Sequence, residues 1–136
     1  MEITGIAGTD LTGWSLLFYN GFDGKQYDAY TFTSSNVIAN QSNGFRTLGI
    51  LVSGIQNGGN DGIALVDASK AVIQFLSYEG ILTASDGAAK GMTSQDIGVS
   101  ESESTATTGS LQLIGSGDDY IPFSFSFFVN MLGAIN

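Results

Sequence analysis

Short apolar runs separated by glycine-rich turns extend along the whole sequence, and this pattern limits what the chain can fold into. Glycine is the commonest residue with 19 copies among 136 residues, whereas proline occurs once. Glycine allows tight turns, and no long stretch has the spacing of an amphipathic helix. Residues 71–78 also fit a helical spacing, but they follow a hairpin turn at Asp67–Lys70 and are rich in β-branched and aromatic residues. We therefore predict a strand there.

About seven short strands are predicted from alternation and from β-branched or aromatic composition. The clearest is residues 121–128, where Phe123, Phe125 and Phe127 alternate with serines. A period of two places these three rings on one face, which we assign to the core. The other predicted strands are residues 14–19, 27–33, 47–52, 63–66, 71–78 and 111–114.

The strand pattern predicts an all-β fold, an antiparallel β-sandwich in which residues 1–136 form a single domain. A closed barrel is the alternative architecture. Residues 84–108 hold few large apolar side chains and are predicted to be a long, ordered loop. Apolar residues make up 43% of the chain, which is enough for a core and argues against intrinsic disorder.

Several classes of function are disfavoured by composition. The chain has no histidine and no cysteine, so Ser-His-Asp and Cys-His catalysis are excluded, and we predict no enzyme activity. Its formal charge is −9, with only four basic residues, so no nucleic-acid partner is expected. No apolar run is long enough to span a bilayer, and residues 1–5 lack the basic and apolar regions of a signal peptide, so none is expected within this sequence. Membrane insertion is therefore not expected.

Two clusters of oxygen-bearing side chains are weak candidates for calcium binding, although no cofactor is required by the sequence. Asn57, Asn60 and Asp61 lie in the densest turn signal of the chain, and Asp118 and Asp119 follow a Gly-Ser-Gly segment. Carboxylate and amide oxygens are typical calcium ligands. Neither cluster has the spacing of an EF-hand loop, so plain turns are the favoured interpretation.

Two further groups of residues have a structural and a functional interpretation. An exposed platform for a sugar or a peptide is one interpretation of Trp14, Phe18 and Tyr19. The favoured interpretation is that these side chains lie in the core. Glu101 and Glu103, downstream of Asp96, provide the two carboxylates that a glycosidase acid–base pair needs. Nothing in the sequence around them indicates a sugar-binding groove. A solvated acidic loop is the favoured interpretation there.

Several segments together resemble bacterial lamin-tail-type domains. The most specific is Gly91-Met-Thr-Ser-Gln-Asp-Ile-Gly-Val-Ser-Glu-Ser102. The others are residues 7–21, 54–67, 72–80, 110–113 and 133–136. The resemblance implies an immunoglobulin-like sandwich of a secreted or surface-attached protein, without catalytic residues. It implies a module for protein–protein contact or attachment; the alternative is a calcium- or carbohydrate-binding accessory domain of a secreted nuclease- or phosphatase-type hydrolase.

Relatives of this type usually have a further strand before Glu2 and Ile3, and this chain starts after it. The sequence thus predicts a sandwich lacking the family's first strand, with an open sheet edge. Open edges template pairing with another chain, so we expect self-association across the edge. The alternative is that the first residues fold over the edge themselves.

Overall fold

The computed structural model describes residues 1–41, 44–100, 108–115 and 123–130. Within these ranges the chain is all-β and contains nine strands. They are β1 (Glu2–Ile6), β2 (Ser15–Tyr19), β3 (Gln26–Thr31), β4 (Phe45–Gly49), β5 (Gly62–Val66), β6 (Val72–Ser77), β7 (Gln95–Asp96), β8 (Gly109–Ile114) and β9 (Ser124–Val129). No helix in the described ranges is long and apolar enough to cross a membrane.

A five-stranded sheet in the order β3-β2-β5-β6-β7 forms the centre of the fold. Its strands pair antiparallel, except for the short parallel pair β6–β7. All five residues of β2 are buried. Since successive side chains point to opposite faces of a sheet, burial of every residue means that both faces of the sheet are covered.

One face packs against the two-stranded sheet formed by β1 and β4. Leu16 and Phe18 of β2 contribute the buried side chains from the central sheet, and Ile3 and Leu48 pack against them from the smaller sheet. The cluster also contains the buried residues Leu11, Phe32, Ile38 and Ile50. Two sheets facing each other across an apolar layer are compatible with the predicted β-sandwich.

The opposite face of the central sheet is covered by the chain after β6. Leu17 and Tyr19 of β2 pack there, together with Leu82, Ala84 and Ala89 from the covering segment. The N–H of Ala89 donates to the Tyr19 hydroxyl at 3.1 Å. Burial raises the pKa of Tyr19, against an opposing effect of that hydrogen bond, so this phenol stays neutral as a buried acceptor.

The predicted strands agree with the structure in the middle of the chain and depart from it elsewhere. Glu2–Ile6 lies outside every predicted strand, yet it forms β1, because it pairs along its whole length with β4. That register ends β4 at Gly49, earlier than the predicted range of 47–52. The expected loop of residues 84–108 contains β7, which adds a parallel pair to a sandwich predicted to be antiparallel. These two strands raise the number above the expected seven.

The phenylalanine strand forms over Ser124–Val129, but the predicted core position is contradicted for Phe127, and Phe123 and Phe125 are only half-buried. Phe125 and Phe127 of β9 pair with Leu113 and Leu111 of β8. Phe127 is 39% exposed, and its ring occupies the space that a Cβ at Gly109 would need. Among the described strands, β8 and β9 pair only with each other, and neither buried cluster includes them. The row therefore lies on a face that the two cores do not cover.

Candidate functional site

Three segments meet at one end of the central sheet, and we call them together the loop end: the turn between β2 and β3, residues 56–61 before β5, and residues 79–81 after β6. Asp61 joins the first two. Its side chain is 3% exposed; Oδ1 accepts a hydrogen bond from the N–H of Gly21 at 2.7 Å, and Oδ2 accepts one from the N–H of Gly58 at 2.8 Å. A buried carboxylate with charge-assisted bonds to two backbone donors ties both segments together.

Asn60 adds the third segment to this arrangement. Its side-chain Nδ2 donates to the carbonyl oxygens of Gly21 and Ile81, each at 3.2 Å. Its backbone has a φ of 53°, in the left-handed region that asparagine tolerates better than most residues. One side chain thus bridges the turn after β2 and the chain after β6.

The turn between β2 and β3 is fixed by its own first residue. Asn20 accepts from the N–H of Phe22 through Oδ1 at 2.8 Å and donates through Nδ2 to Oε1 of Gln56 at 2.8 Å. Its carbonyl accepts from the N–H of Gly24 at 2.8 Å. A Cβ at Gly21 would collide with the backbone of Gly59 and Asn60, so this close approach requires glycine.

Two tyrosines anchor the segment before β5. The N–H of Gln56 donates to the Tyr27 hydroxyl at 3.0 Å, and the Tyr78 hydroxyl donates to the Gln56 carbonyl at 2.6 Å. Burial raises the pKa of Tyr27, the Gln56 N–H lowers it, and the carboxylates of Asp61 and Asp28 raise it further. The Tyr27 phenol therefore stays protonated at neutral pH, and both phenols keep the segment in place.

These contacts leave a groove of about 560 Å³ at the loop end. The residues that line it are Asn20, Phe22, Gln56, Asn57, Gly58, Gly59, Asn60 and Asp61. Phe22 is 97% exposed on its rim. Within the described residues, the Asn57 side chain has no hydrogen bond to protein, and neither has Nε2 of Gln56. The groove therefore combines an exposed aromatic ring with amides that are available to a ligand.

The structure brings three of the five calcium candidates together here. Asp61, Asn60 and Asn57 all line the groove, whereas Asp118 and Asp119 lie outside the described residues. Both Asp61 oxygens already accept N–H bonds, and a cation would have to share them. In the described part of the chain, no group of three or more carboxylates is placed to hold a metal ion. Calcium binding at Asp61 stays a prediction.

The other candidates are placed as follows. Phe18 and Tyr19 are fully buried, on opposite faces of the central sheet, and Trp14 is half-buried against the same cluster as Phe18. The predicted core position is thus confirmed for Phe18 and Tyr19, whereas Trp14 only packs against the buried cluster. Asp96 is exposed in β7, and Glu101 and Glu103 lie outside the described residues.

Sequence reasoning missed Phe22 and Gln56. A signal for Phe22 is visible: it lies inside Asn20-Gly-Phe-Asp-Gly24, a run of turn formers in which a large apolar residue has no strand position to bury it. Gln56 carries no such signal, because its role depends on Asn20, 36 positions away.

No family model, no curated protein and no solved structure matches the chain. The resemblance to lamin-tail-type domains accordingly stays an expectation that rests on the sequence segments. At the loop end, a hydrogen-bonded backbone presents one exposed aromatic ring beside a polar groove.

Proposed function

We propose that this chain is a non-catalytic β-sandwich module of the lamin-tail type, which acts in a secreted or surface-attached setting by contact with, or attachment to, another macromolecule. The observation that carries the proposal is the presentation of Phe22. Its side chain is 97% exposed, yet its backbone N–H is bound to Asn20 and the preceding residue is bound to the buried Asp61.

A rigid loop makes such an exposed ring useful for binding. Ordering a flexible loop on association has an entropic cost that reduces affinity. At the loop end that ordering is already present, because Asp61, Asn60 and Asn20 fix the turn that carries Phe22. Aromatic side chains, phenylalanine included, are enriched in contact surfaces.

The same groove supports a role without catalysis. Among the described residues that line the groove, Asp61 is the only carboxylate, and its oxygens are held by backbone donors. General acid–base hydrolysis needs a second titratable group across the groove, and the lining provides none. Because the sequence contains neither histidine nor cysteine, it also lacks the residues that form the commonest nucleophile–base pairs.

The edge of β3 is a second candidate contact surface, because among the described strands β3 pairs only with β2. It is not the edge of the sequence expectation, which lies beside Glu2 and Ile3 and stays a prediction. Two of its backbone N–H groups donate to carboxylates: Gln26 to Asp86 at 2.7 Å and Ala29 to Asp28 at 2.8 Å. Donors that already have partners are less available to an added strand. We therefore assign the contact to the loop end and keep edge pairing as the second candidate.

The proposal is tested on an array that carries displayed random peptides and neutral polysaccharides. Fluorescently labelled chain is compared with Phe22→Ala and with Leu51→Ala, which removes an apolar side chain that is 87% exposed and outside the groove. We expect at least one class of probe to retain the wild type and Leu51→Ala, and Phe22→Ala to be released.

Three results would overturn the proposal. The first is retention of Phe22→Ala equal to that of the wild type, and the second is no retention by any probe. The third is turnover of nuclease, phosphatase or glycosidase substrates by the purified chain that is unchanged across independent preparations.

A further inference from the structure

We infer that the groove at the loop end binds a neutral saccharide, with the apolar face of one sugar ring on Phe22 and sugar hydroxyls on the amides of Asn57 and Gln56. This inference rests on the proposed function, since it names the ligand class of the same surface. It follows from three properties of the lining: one exposed ring, amides without protein partners, and no basic residue.

The aromatic ring provides the apolar part of the site. Phe22 is the only large apolar residue among the described residues of the lining, and 97% of its surface is open to solvent. A pyranose ring carries several C–H groups on one face, and these pack against the negative face of an aromatic ring. A single exposed ring matches the size of one sugar residue.

The amides provide the polar part. A side-chain amide offers both donors and acceptors, and so does a hydroxyl group. Asn57 and Nε2 of Gln56 have no protein partner in the described ranges, whereas the amides of Asn20 and Asn60 hold the loops. The lining thus divides into amides that build the groove and amides that face a ligand.

Charge selects against anionic ligands. No lysine or arginine lines the groove, and the chain carries a formal charge of −9. Phosphate, sulfate or uronate groups would meet no counter-charge at the site and would be repelled by the net field. A neutral, hydroxyl-rich ligand avoids both penalties.

The lining also favours a saccharide over a protein. A stable protein interface buries about 800 Å² on each partner and has a central group of aromatic or arginine anchors. Here one aromatic residue stands among amides and two glycines, Gly58 and Gly59. Such a surface fits a small polar ligand with one apolar face better than it fits the large apolar surface of a protein partner.

The test is affinity electrophoresis in native gels that contain dextran, pullulan, laminarin, xylan or hydroxyethylcellulose, with alginate and heparin as charged comparisons. We expect at least one neutral polysaccharide to retard the wild type. Phe22→Ala is expected to weaken that binding about tenfold and Asn57→Ala about threefold, on the scale of one aromatic contact and one hydrogen bond. Leu51→Ala should bind like the wild type.

Thermal melts of all variants check folding, and Phe22→Ala and Asn57→Ala should melt like the wild type because both side chains are exposed. The inference is overturned if no neutral polysaccharide retards the chain, if only alginate or heparin does, or if Phe22→Ala is retarded equally. Retention of displayed peptides alone, lost in Phe22→Ala, overturns the saccharide class but leaves the proposed contact function standing. Retention by neither class overturns both.

Discussion

The two ends of strand β5 each carry an aspartate, and the two carboxylates have different roles. Asp61 precedes the strand, is buried, and binds the N–H groups of Gly21, 40 positions away, and Gly58. Asp67 follows the strand and binds only within its own turn, where it accepts from the N–H groups of Ser69 and Ala71. One carboxylate joins distant segments, and the other closes a hairpin.

The difference shows how a turn becomes a candidate binding site. At the Asp67 end, the carboxylate accepts hydrogen bonds from N–H groups of its own turn, those of Ser69 and Ala71. These bonds close the hairpin and do not position a second segment. At the Asp61 end, the same type of bond fixes a second turn, and that turn exposes Phe22 beside a groove. The long-range bond of Asp61 to Gly21 therefore ties the turn that carries Phe22 to the segment before β5.

Replacing the two aspartates should give the largest contrast. Asp61→Ala leaves two backbone donors near a buried site without acceptors, and we expect it to lower the free energy of unfolding by about 3 kcal/mol. Asp67→Ala removes bonds that water replaces, so its effect should be smaller. Urea unfolding of both variants measures the contrast, and equal losses would contradict the distinction between the two ends.

Glycine substitutions at the loop end should give the next largest effect. Gly21→Ala places a methyl group against the backbone of Gly59 and Asn60, and overpacking of this kind costs about 2 kcal/mol. Gly59→Ala is the matched control, because a Cβ there meets nothing within 4 Å; it should change stability by less than about 0.5 kcal/mol. Tolerance of both substitutions would show that the two segments do not approach closely.

Each end also carries a residue with left-handed backbone, Asn60 with a φ of 53° and Lys70 with a φ of 74°. Replacing Lys70 by glycine removes strain and should stabilise the chain by about 0.5 kcal/mol. Asn60→Gly removes strain as well, but it loses the bonds to Gly21 and Ile81, and a net loss of about 1 kcal/mol is expected. Thermal melts that shift in the same direction for both variants would argue against the bridging role of Asn60.

The smallest expected effect is the contribution of Asp67 to acid stability. Hydrogen bonds from the Ser69 hydroxyl first, and then from the Ala71 N–H, lower the pKa of Asp67 in the folded chain. A carboxyl with a lowered folded pKa stabilises the fold above its unfolded pKa, about 3.9, and this stabilisation is lost as the pH falls through the folded value. Asp67→Asn should therefore flatten the decline of stability below about pH 4. A decline as steep as that of the wild type would mean that other carboxyls account for it.

The sequence predicted the local turn at Asp67, but it did not predict the long-range contacts of Asp61. The hairpin turn at Asp67 was predictable because its hydrogen-bonding partners lie within four positions of it. The turn signal before β5 was visible too, but nothing local indicates that Asp61 binds Gly21. For the same reason β1 was missed, since its partner β4 begins 39 positions after it ends, at Phe45. Phe22 was missed although a local signal exists, because it is a large apolar residue within the turn-forming residues 20–24.

Native-state hydrogen exchange at the two ends of β5 is the sharpest test of a rigid loop end. We expect the amides of Gly21 and Gly58, bound to the buried Asp61 carboxylate, to exchange slowly, near the rate of the β5 backbone, whereas the amide of Ser69, bound to exposed Asp67, exchanges rapidly. In Asp61→Asn the protection of Gly21 and Gly58 should fall while that of β5 persists. Gly21 and Gly58 amides that exchange as fast as Ser69 in the wild type would contradict a rigid loop end.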